Sequence, residues 1–466
     1  MSNQSIYWNP VLETLPYEKI RKLQLKKFQR IFSWAYEHSK FHRTLYDNDG
    51  IKPKDIQSFS DIKQIPTVEK SMMRDIQGKE PFPYGDALCV PLNEVTAYRQ
   101  TSGTTGQPVY QPDTWQDWEW WAECWAQLLW AQGYRPKDRV FIPFGYNVFV
   151  AFWAGHYGAE KIGCEVVPGG VLDTRARILK IQELNPTAMM GTPTYMLGMA
   201  DTAINKMKLN PADLSIEIIT CAGEPGASIP STKKRIEDAW GAKVYDHAGA
   251  TEIGAWSFEC TEQPGSMHVN DAFFLVEIVD VETGEAIETP GVRGKMIITA
   301  LDRQAQPCIR FDSKDIIEWD TKICTCGRTS KCSRVCFQMF LCICPNVFLY
   351  VLLCTFVHLT RCGYCRRRFF FRAKGRSRIL GACHIGENTV FQLFCVSGAL
   401  SVTFKVSLAP FKVALAPFGV PLGSLWGALW AALGSPFKLQ AQCSPFAMPV
   451  DKIKPPGSPA NLREFV

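Results

Sequence analysis

The chain has 466 residues, 46% of them hydrophobic and 21% charged, with a formal net charge of +6. That length holds two or three domains, and that composition belongs to a folded globular protein with a large core. A charge this modest gives no argument for a nucleic-acid partner. The opening residues, through Trp8, lack a basic segment followed by an apolar one, so no signal peptide is read and a cytoplasmic location is expected. Without secretion the 18 cysteines are not a disulfide framework, and they are uneven: eight precede Lys331 and ten follow it.

Residues 1–90 read as mostly helical. Ile20, Leu23, Leu25, Phe28, Ile31, Phe32 and Ala35 recur at helical spacing and predict a helix over 17–39. Thr67, after Pro66, is the expected cap of a further helix. Next comes the densest run of small hydroxyl and glycine residues, Thr101-Ser102-Gly103-Thr104-Thr105-Gly106. Its glycines let the backbone approach a ligand and turn amides inward, and its hydroxyls add donors, a combination suited to a polyphosphate. Taken alone, the same composition also describes an ordinary turn. Tryptophans at 115, 118, 120, 121, 125 and 130 lie all round a helix expected over 115–132. That helix should be largely buried, with one face available to an apolar substrate.

From Arg139 onward, strands alternate with helices. Strands are predicted over 140–144, 164–167, 188–191, 217–221 and 243–245, and helices over 149–162, 175–184, 194–207 and 231–240. The alternation predicts an α/β fold with a mostly parallel, doubly wound sheet, which binds ligands beyond the C-terminal ends of its strands. Over 274–279, 294–299 and 316–319 the pattern changes to short strands with turns at Gly284 and Gly291, a β-rich subdomain. The expected division is a helical part over 1–90, an α/β core over 91–270, the β-rich subdomain over 271–330 and an aberrant C-terminal region over 331–466.

Three further loops are polar where a plain core would not need them to be: Ala222-Gly223-Glu224, the run from Asp246 and His247 to Thr251 and Glu252, and the run from Arg310 to Asp315. In order and spacing these loops, with Thr101–Gly106, resemble the adenylate-forming ligase superfamily. Tyr7-Trp8-Asn9-Pro10 and the helical opening narrow the resemblance to the phenylacetate–coenzyme A ligase family, over roughly residues 5–330. The resemblance implies an ATP-dependent acid–thiol ligase that makes an acyl-adenylate and then an aryl-acetyl-CoA or related thioester. It implies that Thr101, Ser102, Gly103, Thr104, Thr105 and Gly106 wrap the triphosphate. Glu252 would hold Mg²⁺, a hard cation suited to a carboxylate, with Thr251 and His247 beside it as catalytic candidates. Asp315 would accept from both ribose hydroxyls. Ala222, Gly223 and Glu224 would line the adenine site with Asp246 nearby, and Ala248 stands where the family often places an aromatic residue. The implied partners are coenzyme A and a small aryl or related carboxylic acid. Neither nucleic acid nor a membrane is expected, and a homodimer is left open.

Cys260, His268, Cys324 and Cys326 form a second constellation. Two thiolates close in sequence and a distant Cys/His pair suit tetrahedral Zn²⁺, although the spacing lies outside common zinc-finger patterns. Some members of the resembling family carry a Cys/His site at matching positions. Four protein ligands leave no open position, so the implied role is structural.

After Ser330 the sequence changes character. An apolar run over 337–357 is interrupted by Pro345-Asn346 and followed by Arg366-Arg367-Arg368. A membrane anchor and a cysteine-rich metal module are two readings. The abrupt shift inside a motif favours a third, a stretch translated out of frame or wrongly joined. Gly375-Arg376-Ser377 resembles the family's hinge, with Arg378 where an aspartate is usual, and Lys454-Pro455-Pro456-Gly457-Ser458 resembles its C-terminal motif. The resemblance implies a lysine after that motif, to neutralise developing charge, and none follows Ser458. Two alternatives to the ligase therefore stand: a catalytically impaired nucleotide- and zinc-binding remnant, and an adenylating enzyme with another acceptor.

Overall fold

The computed structural model describes residues 5–101 and 107–336, together with the backbone of four strands farther along the chain. The chain divides into two compact units, Met1–Ile343 and Cys344–Val466.

The first unit opens with helices α1 (Pro10–Glu13), α2 (Tyr17–His38), α3 (Lys40–Asn48), α4 (Phe59–Ile62) and α5 (Lys70–Ile76). Ile20, Gln24, Phe28, Ile31, Phe32 and Ala35 form the buried stripe of α2, at the spacing of one helix face. Helix α5 begins later than Thr67 suggests, with Glu69 as its N-cap. The reason lies in Val68, which is extended: its N–H donates to the Arg310 carbonyl (3.0 Å) and its carbonyl accepts from Asp312 N–H (2.9 Å). A residue bridged to a strand cannot also be helical, so the helix waits for Glu69.

Strands β1 (Ala97–Gln100) and β2 (Tyr110–Asp113) form an antiparallel hairpin. The chain then alternates α6 (Trp115–Ala131), β3 (Arg139–Ile142), α7 (Ala151–Ile162), β4 (Glu165–Pro168), α8 (Thr174–Leu184), β5 (Ala188–Gly191), α9 (Pro193–Asp201), β6 (Ile218–Cys221), α10 (Pro230–Trp240) and β7 (Lys243–Ala250). A π-helical turn at Thr202–Met207 prolongs α9. The strands β8 (Gly254–Glu259), β9 (Met267–Val269), β10 (Phe274–Val279), β11 (Arg293–Ala300), β12 (Phe311–Trp319) and β13 (Cys332–Cys336) follow.

All strands from β3 to β13 belong to one mixed sheet in the order β10-β11-β12-β13-β9-β8-β7-β6-β5-β3-β4. It is parallel from β4 to β7 and antiparallel beyond. Strand β7 is the joint: it runs parallel to β6, and its extension past Tyr245 pairs antiparallel with β8. The β-rich stretch therefore continues the parallel sheet, and that sheet runs past Ser330 through β13.

Alternating side chains serve the two faces. Val140, Ile142 and Met190 join the tryptophans of α6 on one face, while Phe141, Met189, Ile219 and Val244 pack with Ile178, Met196, Ile236 and Trp240 on the other. Helix α6 is buried along most of its length, although Trp115 at its start is exposed. The opening helices cover the antiparallel end through Phe28, Phe32 and Tyr46 against Leu275, Leu301 and Ile309.

One ion pair crosses this architecture. Arg303, between β11 and β12, and Asp113, at the end of β2, have fully buried side chains. Arg303 Nε donates to Asp113 Oδ1 (2.9 Å), and Nη2 lies 2.7 Å from the same oxygen. Arg303 Nη1 donates to the carbonyls of Thr251 (2.8 Å) and Glu252 (3.2 Å). Burial pushes the Asp113 carboxyl up to about 6, and the Arg303 charge pulls it back toward the ionised form.

The second unit contains β14 (Arg368–Arg372), β15 (Arg378–His384), β16 (Asn388–Cys395) and β17 (Ser401–Ser407), an antiparallel meander. The apolar run at 337–357, the hinge-like Gly375-Arg376-Ser377, and the motif Lys454-Pro455-Pro456-Gly457-Ser458 lie outside the described residues. Among the described residues no helix is long and apolar enough to cross a membrane.

Replacing Asp113 with alanine strands the Arg303 charge in the core. The expected cost is about 3–5 kcal/mol of unfolding free energy, read from urea unfolding of the variant against the parent.

Candidate functional site

The hydroxyl- and glycine-rich stretch falls in sequence between β1 and β2 of the hairpin. Ser102, Gly103, Thr104, Thr105 and Gly106 lie outside the described residues, but both stalks of the loop are described. Thr101 is buried; its N–H donates to the Val109 carbonyl (3.0 Å) and its Oγ1 accepts from Val109 N–H (2.9 Å). On the far stalk, Arg74 Nε donates to the Gln107 carbonyl (2.8 Å). Gln77 donates through Nε2 to the Pro108 carbonyl (2.5 Å) and accepts through Oε1 from Tyr110 N–H (3.0 Å). Helix α5 and the residue after it thus grip the loop.

The other end of α5 reaches two carboxylate-bearing turns. Lys70 Nζ lies 2.7 Å from Glu252 Oε1, a charge contact without hydrogen-bond alignment that compensates a carboxylate buried behind β7. Glu69 pairs with Lys314 (2.8 Å), which also pairs with Asp312 (2.7 Å). Lys314 has φ 65°, and the β11–β12 register shifts between Lys295 and Ile297. Ser313, Lys314 and Asp315 therefore bulge from the strand, which lifts Asp315 to an exposed position. Crowding by protein, then the charges of Asp312 and Glu252, push the Asp315 carboxyl up, against a hydrogen bond from Ser313.

Ala222, Gly223 and Glu224 leave the C-terminal end of β6 beside Asp246, since Cys221 is in register with Asp246. Gly223 has φ +85°, a conformation that favours glycine. Glu224 turns toward α9 and accepts from Thr194 N–H (2.7 Å) and Thr194 Oγ1 (2.5 Å). Asp246 turns inward. Its own N–H donates to Glu259 Oε2 (2.8 Å), an oxygen that Lys233 approaches to 2.6 Å. Burial, then the Glu259 charge, push Asp246 up to about 7. His247 is buried edge-on against Trp125, with ring centroids 4.5 Å apart. Burial pulls it down to about 4, only partly offset by the Ala248 backbone.

Cys260, His268, Cys324 and Cys326 meet at the opposite edge of β8 and β9. All four are buried and their ligating atoms lie within 4.8 Å of one another. Cys260 Sγ is 3.5 Å from Cys324 Sγ, and Cys326 Sγ is 3.3 Å from His268 Nε2. A buried set of three thiols and an imidazole at this spacing fits a tetrahedral Zn²⁺. A hydrogen bond from Cys260, and the His268 ring, outweigh burial and pull Cys326 far below the ordinary thiol range. Burial opposes a charged His268, but hydrogen bonds to four cysteines outweigh it and raise its pKa. The fourth, Cys332, stands opposite His268 in the β13–β9 pairing, with Sγ 3.5 Å from Nδ1, and escaped the sequence pattern because it follows the Cys-x-Cys by six residues.

A profile of the family described as AMP-binding enzyme matches residues 86–300. The phenylacetate-coenzyme A ligase of Thermus thermophilus is 34% identical over 326 residues, covering 69% of this chain and 71% of that one. The chain belongs to the phenylacetate–coenzyme A ligase family. The phenylacetate-coenzyme A ligase of Escherichia coli K12 is 29% identical over 309 residues, 66% of this chain and 68% of that one. Among solved structures, 2-hydroxyisobutyryl-CoA ligase in complex with 2-HIB-AMP and CoA, in the thioesterification state, has a TM-score of 0.67 at 32% identity and covers 70% of this chain and 69% of that one. The phenylacetate–coenzyme A ligase family comprises adenylate-forming acyl-CoA ligases, so ATP and coenzyme A come with the membership.

In this member of the phenylacetate–coenzyme A ligase family, the opening residues clamp the Cys/His cluster. Tyr7 Oη donates to the Cys326 carbonyl (3.0 Å), Arg328 Nε donates to Glu13 Oε2 (2.7 Å) in a buried pair, and Arg328 Nη2 donates to the Ile6 carbonyl (3.0 Å). Gly327 sits under Tyr7 with φ +80°, and a Cβ there would lie 2.4 Å from Tyr7 Oη. Gly327→Ala is expected to lower the thermal midpoint through both backbone strain and collision, for a total of about 2–3 kcal/mol. Tyr7→Ala added to it should recover the collision part and leave the strain part, which differential scanning calorimetry resolves.

Proposed function

We propose that the chain is an ATP- and Mg²⁺-dependent acid–thiol ligase acting on an aryl-acetic or related small carboxylic acid. The acid's carboxylate oxygen attacks the α-phosphorus of ATP, the bond to pyrophosphate breaks, and an acyl-adenylate forms. The sulfur of coenzyme A then attacks the acyl carbon, the thioester bond forms, and AMP leaves with the former carboxylate oxygen. The curated relatives are named for phenylacetate, and the solved relative was captured with 2-HIB-AMP and CoA, which supports small acids as substrates.

One observation carries the reading: helix α5 ties together the stalk of the Thr101–Gly106 loop, Glu252 and the Asp315 bulge. In this reading the loop amides and hydroxyls receive the β- and γ-phosphates, and Asp315 accepts from the ribose hydroxyls. Gly223, with Ala222 and Glu224, borders the adenine. A lone buried carboxylate suits a cation ligated mostly by phosphate and water, and Glu252, with Thr251 beside it, would hold Mg²⁺ there. That ion would neutralise phosphate charge. Zn²⁺ held by Cys260, His268, Cys324 and Cys326 would pin β9 to the segment after β12. A further part of the proposal is that the stretch over 331–466 is translated out of frame or wrongly joined. Reading the gene in all frames beyond the codon for Ser330 tests it by recovering, or failing to recover, a hinge and terminal lysine.

The purified protein, given ATP, Mg²⁺, coenzyme A and a panel of aryl and aliphatic acids, is expected to release pyrophosphate and form a thioester with at least one of them. Absence of pyrophosphate release with every acid refutes the ligase. Glu252→Ala should lower the release rate by about 10²-fold or more. Metal analysis of the same preparation should return one zinc per chain, lost in Cys326→Ser.

A further inference from the structure

We propose that Lys314 is a positioning residue for the nucleotide: it holds the Asp315 carboxylate where a ribose can meet it and ties that carboxylate to helix α5, and so to the stalk of the Thr101–Gly106 loop. The inference rests on the proposed ligase reading, in which Asp315 accepts from the ribose hydroxyls. It adds to that reading a residue that does not itself touch the nucleotide.

The backbone gives the first sign. Four described residues other than glycine have positive φ: Asn185, Lys208, Arg310 and Lys314. Asn185 and Lys208 end helical turns, where that conformation is ordinary. Arg310 is buried, and its guanidinium is fixed by Glu277 and by the carbonyls of Lys63 and Ile65. Lys314, at φ 65°, ends no helix and is exposed. A side chain is strained in this conformation and glycine is not, and backbone strain of this kind gathers at functional sites.

Charge holds the strained residue in place. Lys314 N–H donates to Asp312 Oδ1 (3.0 Å), and Lys314 Nζ donates to Asp312 Oδ2 (2.7 Å). Backbone and side chain thus close on one carboxylate, which is 2% exposed and which Lys295 also approaches to 3.1 Å. Burial disfavours a charged Asp312, but hydrogen bonds from Lys314 and Lys295 outweigh it and keep the carboxyl below its ordinary range. The grip sets the bulge: Ile297 pairs with Asp312 and Lys295 with Ile316, so Ser313, Lys314 and Asp315 all stand opposite Met296. Asp315 N–H donates to Ser313 Oγ (3.2 Å), and Asp315 is left exposed. Lys314 Nζ also donates to Glu69 Oε1 (2.8 Å) at the N-cap of α5, and the neighbouring Val68 is bridged to Phe311 of the same strand. One ammonium therefore joins the bulge that carries Asp315 to the helix that grips the loop stalk. The Lys314–Glu69 pair is exposed and adds little stability, so its effect lies in placement.

The test titrates the full chain, with Mg²⁺ and without acid or coenzyme A, with ATP and with 2′-deoxy-ATP, which lacks one of the hydroxyls that Asp315 receives. Calorimetry should show the parent binding ATP about tenfold tighter or more, since the deoxy nucleotide forgoes a hydrogen bond to a carboxylate. Lys314→Gly relieves the backbone and removes the ammonium, and it should cut that ratio to about threefold or less, whereas Lys314→Arg keeps it. If Lys314→Gly does not fold, Lys314→Met, which retains the apolar stem, should cut the ratio in the same way. A lysine with a purely structural role would weaken both nucleotides alike and leave the ratio unchanged. A ratio unchanged in Lys314→Gly or Lys314→Met, or lost as fully in Lys314→Arg, overturns the assignment while leaving the ligase reading intact. Equal binding of the two nucleotides by the parent overturns it together with the ribose role of Asp315. Failure of the parent to bind ATP overturns the ligase reading as well.

Discussion

A guanidinium without access to water sets the geometry of the candidate site. Arg303 joins three pieces of chain that are far apart in sequence: Asp113 at the end of the hairpin, the Thr251 and Glu252 carbonyls past β7, and its own turn between β11 and β12. The turn is held from a second side by Asp117 in the first turn of α6, whose carboxylate accepts from Gln304 N–H (2.6 Å) and Ala305 N–H (3.1 Å). A buried ion pair adds little net stability over an apolar core, because desolvation offsets the attraction. Its effect here is positional. The backbone of Glu252 cannot move without unpairing a charge in a dry interior, so the carboxylate at the end of that residue stays at a fixed distance from the hairpin.

Helix α5 does at the surface what Arg303 does in the core. It has seven residues, too few for independent stability, and it persists because it is stitched at both ends. Val68 enters the sheet beside Phe311, and Gln77 mimics a strand partner for Pro108 and Tyr110. A displacement of the loop would therefore be felt at Lys70 and Glu69, and through them at Glu252 and Lys314.

The parallel part of the fold was legible because its signals are local. Buried strands read as short apolar runs, and each crossover helix carries an apolar stripe, so the predicted strand over 188–191 matches β5 and the helix over 231–240 differs from α10 by one residue. The extension of β7 was not legible, since Asp246-His247-Ala248-Gly249 has no strand pattern and is extended only because β8 pairs with it. The four loops of the candidate site were recognisable as motifs. Their support was not, because Arg303, Asp113 and Lys70 act across separations that no local pattern records. Cys332 was missed for a related reason: it reaches His268 through strand pairing rather than through spacing.

The clamp between the opening residues and the cysteine cluster has a topological consequence. Glu13 and Arg328, 315 positions apart, are joined in a buried pair, and Thr329 donates to the Glu13 and Leu15 carbonyls. The path from Tyr7 to Ser330 is thus a loop whose two ends are tied together, close to a closed ring. A ring of this kind resists fraying from either end, and new ends opened in an exposed turn such as the one at Gly284 would leave its interior unchanged. Circular permutation at that turn should accordingly be tolerated by the stretch from Tyr7 to Ser330, whose ends are neighbours already.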